Sequence, residues 1–456
     1  MKVMLTRSMV LLVFSLLLIG GVVLFAVNFL TNAARWAHFP TNPHLYEDGE
    51  WVSSATIYDS TGEMLVNMEG SNRQFHQNHD IRTALMHATG DSNDHVATGA
   101  QVAFRPRLSG WSLVNGLFNL EETTPPGEDL TLTLDANLSA VAYRELAGRR
   151  GAVGVYNYET GEILCMVSSP SFDPANPPPA AGESAELEGA FINRFLSANY
   201  TPGSIFKLVT TAAAIENLEN LHARRFHCEQ VKEVGEDTIS CLSYCGEINL
   251  EEALANSCNV AFAEIALELG ADTLQEYANL AGFNQALEVD GIPTAAGLID
   301  VSEAEGADLA WAGIGQYTNT ANPLNFMALM GAIANEGKRV DPILLEREGL
   351  FSSMADSIFG ETQIFAPSTA QKLQWMMRNN FESSFGEEYY SHLKIAAKSG
   401  TAEVGGDQAP HAWYAGYMGR DDYPLAFVVI IENGGSGSRV AAPVAINVLQ
   451  KAVEQP

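Results

Sequence analysis

The chain has 456 residues, 46% of them hydrophobic, with 55 acidic against 25 basic side chains and a formal charge of −30. That is ample material for a large core in two or three domains, which excludes a disordered chain. The acidic excess is spread without long runs, which excludes nucleic acid as a partner and strong attraction to anionic lipid surfaces. From Ser8 to Leu30 runs an uncharged stretch rich in Leu, Val and Phe, long enough to cross the roughly 30 Å hydrocarbon layer as a helix. Lys2 and Arg7 precede it and favour a cytoplasmic N-terminus, although Arg35 on the far side weakens the asymmetry. The reading is a single-pass anchor in the cell membrane with the rest of the chain extracytoplasmic. A cleaved signal peptide is the alternative, but its apolar core would span about 7–15 residues and end at a small-residue cleavage site.

Residues 31–128 mix short strand-like runs with polar turns. In ATIYDSTGEMLV two β-rich runs flank a Ser-Thr-Gly turn, which predicts a hairpin. Thr123-Thr124-Pro125-Pro126-Gly127 reads as a punctuated linker. The expected division is therefore an anchor over 1–30, a small β-rich domain over 31–128 and a large domain over 129–456. In the last, DLTLTLDANLSAVAYREL predicts a strand feeding a helix, and GAVGVYNYETGEILCMVS a hairpin turning at Glu159-Thr160-Gly161. A Pro-rich loop spans Pro170 to Pro179, and helix-like segments dominate from Phe206 to about Ile333. KIAAKSGTAEV, HAWYAGYMG and PLAFVVIIENG are strand candidates, closed by the helix APVAINVLQKAV. Strands from both ends of the domain around a mostly helical insert make an antiparallel sheet of α+β class.

Five cysteines accompany this pattern. Cys165 and Cys258 read as small buried residues. Cys228, Cys241 and Cys245 cluster in one loop-like segment; outside the membrane a Cys228–Cys241 disulfide is the favoured pairing, with free thiols the alternative. With His227 alongside, zinc is conceivable, but the spacing lacks the usual paired CxxC or HxxxH pattern, and no metal is expected.

Three short motifs occur in order: Ser204-Ile205-Phe206-Lys207, Ser257-Cys258-Asn259 and Lys398-Ser399-Gly400-Thr401. Each alone is weak, and Ser391-His392-Leu393-Lys394 is a second SxxK match. In the first, however, Pro202-Gly203 opens an apolar helix, so Ser204 falls at a helix N-terminus. Three residues on, the Lys207 amine shares its face and reaches the hydroxyl. A serine needs such a base, and a lysine serves as one only where burial or a neighbouring cation, here Lys398, lowers its pKa. Ser257 and Asn259 lie between two helices, where Ser257 can relay a proton and Asn259 can bind a substrate amide. The bland alternative is that Asn256-Ser257 caps the next helix. Lys398, Ser399 and Thr401 on a strand softened by Gly400 can receive an extended peptide and its carboxylate. An ordinary strand and turn is the competing view of that segment.

SxxK, SxN and K[ST]G in this order resemble the penicillin-binding proteins and serine β-lactamases. TGEILCMVSSPSFDP, EEALANSCNVAF, HAWYAGYMG and FVVIIENGGSGSRVAAPVA narrow the resemblance to the transpeptidase domain of class B penicillin-binding proteins, over roughly Asp129 to Pro456. ATGDSNDHVATGAQ and ATIYDSTG resemble the pedestal of small elongation- or sporulation-type members, with Ser54-Ala55 and Ser60-Thr61 where that class commonly has Arg-Gly and Arg-Asn-Gly. The resemblance implies a penicillin-binding transpeptidase fold and a serine D,D-transpeptidase that cross-links peptidoglycan stem peptides and is acylated by β-lactams. Ser204 is then the nucleophile, Lys207 the base and Ser257 the relay. Asn259, Lys398, Ser399, Gly400 and Thr401 bind substrate, and the backbone N–H groups of Ser204 and Thr401 form the oxyanion hole, with no cofactor. It also implies a multi-spanning glycan polymerase as partner, since residues 31–128 are too few for a second catalytic domain. A class A β-lactamase would need a Glu-x-x-Leu-Asn-like loop after Asn259, and none follows.

Overall fold

The computed structural model describes residues 2–38, 46–47, 50–51, 53–110, 127–178, 187–347, 361–386 and 388–454. Most of the expected linker, Thr123 to Pro126, lies outside them, as does Pro179 at the end of the Pro-rich loop. Elements used below are numbered in chain order.

Helix α1, Lys2–Ala37, contains the apolar stretch Thr6–Ala33 of 28 residues, about 42 Å long at the α-helical rise. Residues Ser8 to Leu30 are exposed throughout. Among the described residues this is the one helix long and apolar enough to cross a membrane. The chain forms two compact units. The first comprises Met1–Ile57, Val66–Phe75 and Phe104–Leu130. In it Trp51 is clasped by the guanidinium groups of Arg73 and Arg105, each 4.8 Å from the ring centre, and Ser53 Oγ donates to Leu108 O at 2.6 Å. The expected hairpin forms from β1, Ser53–Tyr58, and β2, Met64–Gly70, and β3, Asn72–Phe75, extends it.

The second unit comprises Tyr58–Leu65, His76–Ala103 and Thr131–Pro456, so it takes in two stretches that precede residue 129. Both are tied into it by polar side chains, Asp59 buried and the pair Arg82–Asp173 half-buried. Asp59 accepts from the N–H groups of Thr61, Glu63 and Ala136. Arg82 grips Asp173 with two hydrogen bonds of 2.7 and 2.8 Å.

Asp135 caps α2, Ala136–Leu146, by accepting from Leu138 N–H. The central sheet has the order β10-β11-β12-β4-β5: β10 Ile395–Ala402, β11 His411–Met418, β12 Leu425–Ile431, β4 Gly151–Asn157 and β5 Ile163–Ser169. All its pairings are antiparallel, with β4 from the start of the large domain beside β12 from its end. Because β12 and most of β11 and β4 are buried on both faces, they read as continuous apolar runs rather than alternating ones. One face packs on α2 and on α8, Ala442–Glu454. Between β5 and β10 lies the insert: α3 Lys207–Asn217, α4 Leu250–Ala255, α5 Asn259–Leu280, α6 Pro323–Ala334 and α7 Pro367–Phe385. The fold class is the expected α+β arrangement.

The insert differs from the sequence reading in one place. The segment read as a loop folds into two small hairpins. In the first, β6 Phe226–Cys228 pairs with β9 Gly246–Ile248; in the second, β7 Val231–Val234 pairs with β8 Asp237–Ser240. Short, charged strands of three or four residues carry too little periodicity to register as strands.

Candidate active site

Pro202 and Gly203 lead into a single 3₁₀ turn, Gly203–Ile205, that runs directly into α3 and sets Ser204 half-buried at its start. Gly203 sits at φ +54°, and a Cβ there would lie 2.7 Å from Thr401 O. A Cβ on Gly400 would lie 3.0 Å from Pro202 O and from Ile205 Cγ2. The two glycines therefore let the Ser204 turn and strand β10 approach backbone to backbone. Trp413, fully buried on β11, donates to Thr201 O at 2.9 Å and fixes the lead-in.

Lys207 is fully buried, and its Nζ lies 3.2 Å from Ser204 Oγ, 2.7 Å from Ser257 O, 3.1 Å from Ser257 Oγ and 2.6 Å from Asn259 Oδ1. Asn259 Nδ2 donates to Ser240 O at 2.7 Å, which turns Oδ1 toward the amine. Two of the four oxygens around Nζ are thus pure acceptors and take two N–H groups. On a neutral amine the remaining lone pair then faces the hydroxyls, in position to accept the Ser204 proton. Burial and the charge of Lys398 both push the Lys207 pKa well below that of an ordinary lysine, toward that neutral form.

Ser257 occupies the left-handed region, φ +52°, between α4 and α5. An αL serine is uncommon and places the hydroxyl where a helical residue could not. Its Oγ stands 3.1 Å from Lys207 Nζ and 3.1 Å from Lys398 Nζ. The capping alternative does not describe this loop: the N-cap of α5 is Cys258, whose sulfur accepts from Ala261 N–H. Lys398, 1% exposed, also donates to Ser399 O at 2.9 Å, and burial brings its pKa down to about 7. Ser204, Ser257, Asn259, Ser399 and Thr401 line one cleft of about 590 Å³, beside which β10 is the edge strand of its sheet. Lys207, Lys398 and Gly400 stand immediately behind them. Ser391 and Lys394 of the second SxxK match are both exposed on a short turn.

The cysteines assemble differently from the expected pair. Cys228 and Cys241 are free thiols with sulfurs 3.6 Å apart, and Cys258 is equally close to Cys241. Cys241 also lines the cleft. Sequence reading missed a second group, a buried ion pair of Arg194 Nε with Glu432 Oε1 at 2.7 Å, to which Tyr200 adds its hydroxyl at 2.7 Å. It joins the end of β12 to the lead-in of Ser204, and its members are 238 residues apart in the chain.

Comparison with known proteins agrees with this arrangement. Residues 151–450 match the family described as the penicillin binding protein transpeptidase domain. The chain is 31% identical over 328 residues to the peptidoglycan D,D-transpeptidase PbpA of Mycolicibacterium smegmatis, covering 65% of each. It is 28% identical over 370 residues to the peptidoglycan D,D-transpeptidase MrdA of Acinetobacter baumannii, covering 70% of this chain and 53% of that one. The chain thus spans somewhat under two thirds of the first relative and about half of the second. Its fold matches penicillin-binding protein A from M. tuberculosis in a ceftriaxone acyl-enzyme complex, with TM-score 0.75 and 23% identity over 88% of this chain and 98% of that one. With the family matched over most of its length and three motifs brought to one cleft, the chain belongs to the penicillin-binding protein transpeptidase family, on its class B branch.

Proposed function

We propose that this chain is a membrane-anchored peptidoglycan D,D-transpeptidase working through an acyl-enzyme at Ser204. The observation that carries the reading is the position of the Lys207 amine, 3.2 Å from Ser204 Oγ with its other hydrogen bonds occupied by acceptors. Lys207 takes the Ser204 proton as Oγ attacks the carbonyl carbon of the penultimate D-alanine of a stem peptide. The C–N bond breaks, and the terminal D-alanine leaves with a proton passed from Lys207 through Ser257. In the second half an amine from a neighbouring stem attacks the ester, gives its proton to Lys207, and Ser204 is released. Lys398, Ser399 and Thr401 receive the substrate carboxylate, Asn259 its amide, and the cleft-facing end of β10 its extended backbone. The backbone N–H groups of Ser204 and Thr401 bind the developing oxyanion. A β-lactam enters the same path but stays tethered after its ring opens.

The relatives are peptidoglycan D,D-transpeptidases by name, which supports stem peptides of a lipid-linked precursor or nascent glycan as substrate. Labelling with a fluorescent penicillin tests the assignment: Ser204→Ala abolishes the label and Ser391→Ala retains it. Label persisting in the first variant would falsify it.

The division into an anchor over 1–30, a pedestal over 31–128 and a transpeptidase domain over 129–456 belongs to this reading. So does the orientation, with Lys2 and Arg7 cytoplasmic and the catalytic domain outside. Protease added to intact protoplasts digests the catalytic domain if it lies outside and spares it if it lies within. The same reading assigns the chain a multi-spanning glycan polymerase as partner, because cross-linking is useful only where new glycan is made.

A further inference from the structure

The proposed mechanism leaves unused the thiols behind the Ser257–Asn259 loop. Cys228 ends β6, Cys241 follows β8, and Cys258 starts α5; all three are buried, and their sulfur atoms lie within 4.8 Å of one another. Cys241 Sγ is 3.6 Å from Cys228 Sγ and 3.6 Å from Cys258 Sγ. Cys245, half-buried four residues after Cys241, stands beside this buried trio, near enough for the charge state of Cys228 and Cys241 to act on its thiol. The four are separated by twelve, three and twelve residues. No paired CxxC announces them, because the two small hairpins and the start of α5 bring them together.

Two independent features distinguish this cluster from cysteines buried for packing. The first is spacing. Four sulfurs around zinc at about 2.3 Å lie about 3.8 Å from one another, close to the 3.6 Å that separates Cys241 from Cys228 and from Cys258. A disulfide would need an approach to about 2.05 Å, and Cys241 has no nearer neighbour among its two candidates. The second is the donor field. Asn259 and Val260 N–H both donate to Cys241 Sγ, at 3.1 and 3.4 Å, and Ala261 N–H donates to Cys258 Sγ at 3.4 Å. Backbone donors from the first turn of a long helix favour negatively charged sulfur, the form in which cysteine binds metal.

We propose that Cys228, Cys241, Cys245 and Cys258 hold one zinc ion as a closed structural site that fixes the Ser257–Asn259 wall of the cleft. Binding releases protons from the coordinating thiols. Four protein ligands leave no open position, so the ion takes no part in the reaction. It clamps both small hairpins to the start of α5, one residue from each of Ser257 and Asn259. Its value to the cleft rests on the functional reading above, whereas its existence does not.

Metal content tests it without reference to turnover. The full chain is purified in detergent under anaerobic, reducing conditions, stripped with a chelator and titrated with zinc chloride, and bound metal is measured by mass spectrometry. About one zinc per chain is expected. Cys228→Ser and Cys258→Ser should each weaken binding by about 100-fold or more, while Cys165→Ala, at a buried cysteine in the central sheet, retains it. Cobalt(II) loaded into the unaltered chain should give thiolate-to-metal charge transfer and tetrahedral ligand-field bands, a readout that survives if the serine variants fail to fold. No retained zinc, or cobalt without thiolate bands, overturns the site. So does a Cys228–Cys241 or Cys241–Cys258 disulfide in protein from membranes that binds no zinc after reduction.

Discussion

Lys207 and Lys398 meet at one atom: the Ser257 hydroxyl oxygen lies 3.1 Å from each Nζ. Two buried ammonium groups cannot share a hydroxyl without repulsion, and burial disfavours both charges. The pair therefore reaches its working form, Lys207 neutral and Lys398 charged, in a window of pH.

The neutral form of Lys207 grows as pH rises past its depressed pKa. The charged form of Lys398 is lost as pH rises past about 7. Acylation by penicillin, measured as a second-order rate constant, should rise and then fall with pH, the limbs belonging to the pair rather than to either residue. Lys398→Arg keeps its charge throughout and should remove the falling limb. An unchanged falling limb in that variant assigns it to another group.

Asn259→Asp would set a carboxylate 2.6 Å from Lys207 Nζ and take away the donor to Ser240 O. The nearby negative charge favours the ammonium form, so the rising limb should move up by about one to three pH units, with acylation at neutral pH slowed about 10-fold or more. Stopped-flow acylation across pH measures it. A slower rate with no displacement of the limb would mean that Asn259 acts only on the substrate.

Glu432→Ala leaves the Arg194 guanidinium, 7% exposed, without its carboxylate. Breaking a buried pair from one side costs about 3–5 kcal/mol, and since Glu432 is itself 18% exposed the lower end applies. Denaturant unfolding should show that loss. Because the pair braces the lead-in to Ser204, acylation should slow even in the folded fraction. A stability loss with unchanged acylation would confine the pair to a structural role.

Partnership can be read by co-purification. A small pair, Gly20-Gly21, lies on the exposed face of α1, where helices in lipid can pack closely. A glycan polymerase should be recovered with the full chain and lost when residues 1–128 are replaced by an unrelated anchor. Equal recovery from both removes the proposal.

The meeting of Ser204 and Lys207 was legible because their relationship is local: a Pro-Gly start and a three-residue spacing put both on one helical face. The strands of the central sheet were legible as apolar runs. Ser257 was harder, since its left-handed backbone and Cys258's cap role depend on how α4 meets α5. The direction of the Asn259 amide depends on Ser240, nineteen residues away. Cys258 looked like an ordinary buried residue because the sulfurs beside it arrive through hairpins too short for periodicity to mark. Arg194 and Glu432 left no trace in either neighbourhood; only closure of the sheet between the two ends of the domain brings them together.

Strand β10 ends its sheet, but only its Ser399 and Thr401 end opens on the cleft, because Arg378 and Asn380 of α7 donate to Ile395 O and Ala397 O farther back. An uncovered strand edge accepts any backbone that can lie alongside it, and on an open face that is an invitation to sheet-on-sheet aggregation. With the carbonyls of Ile395 and Ala397 already taken by α7, the stretch left for pairing is only the few residues beside the Ser204 turn. Length is thus limited before chemistry: a loose peptide tail can pair over a few residues, while the long edge-to-edge ladder that joins folded proteins has too few free groups to form.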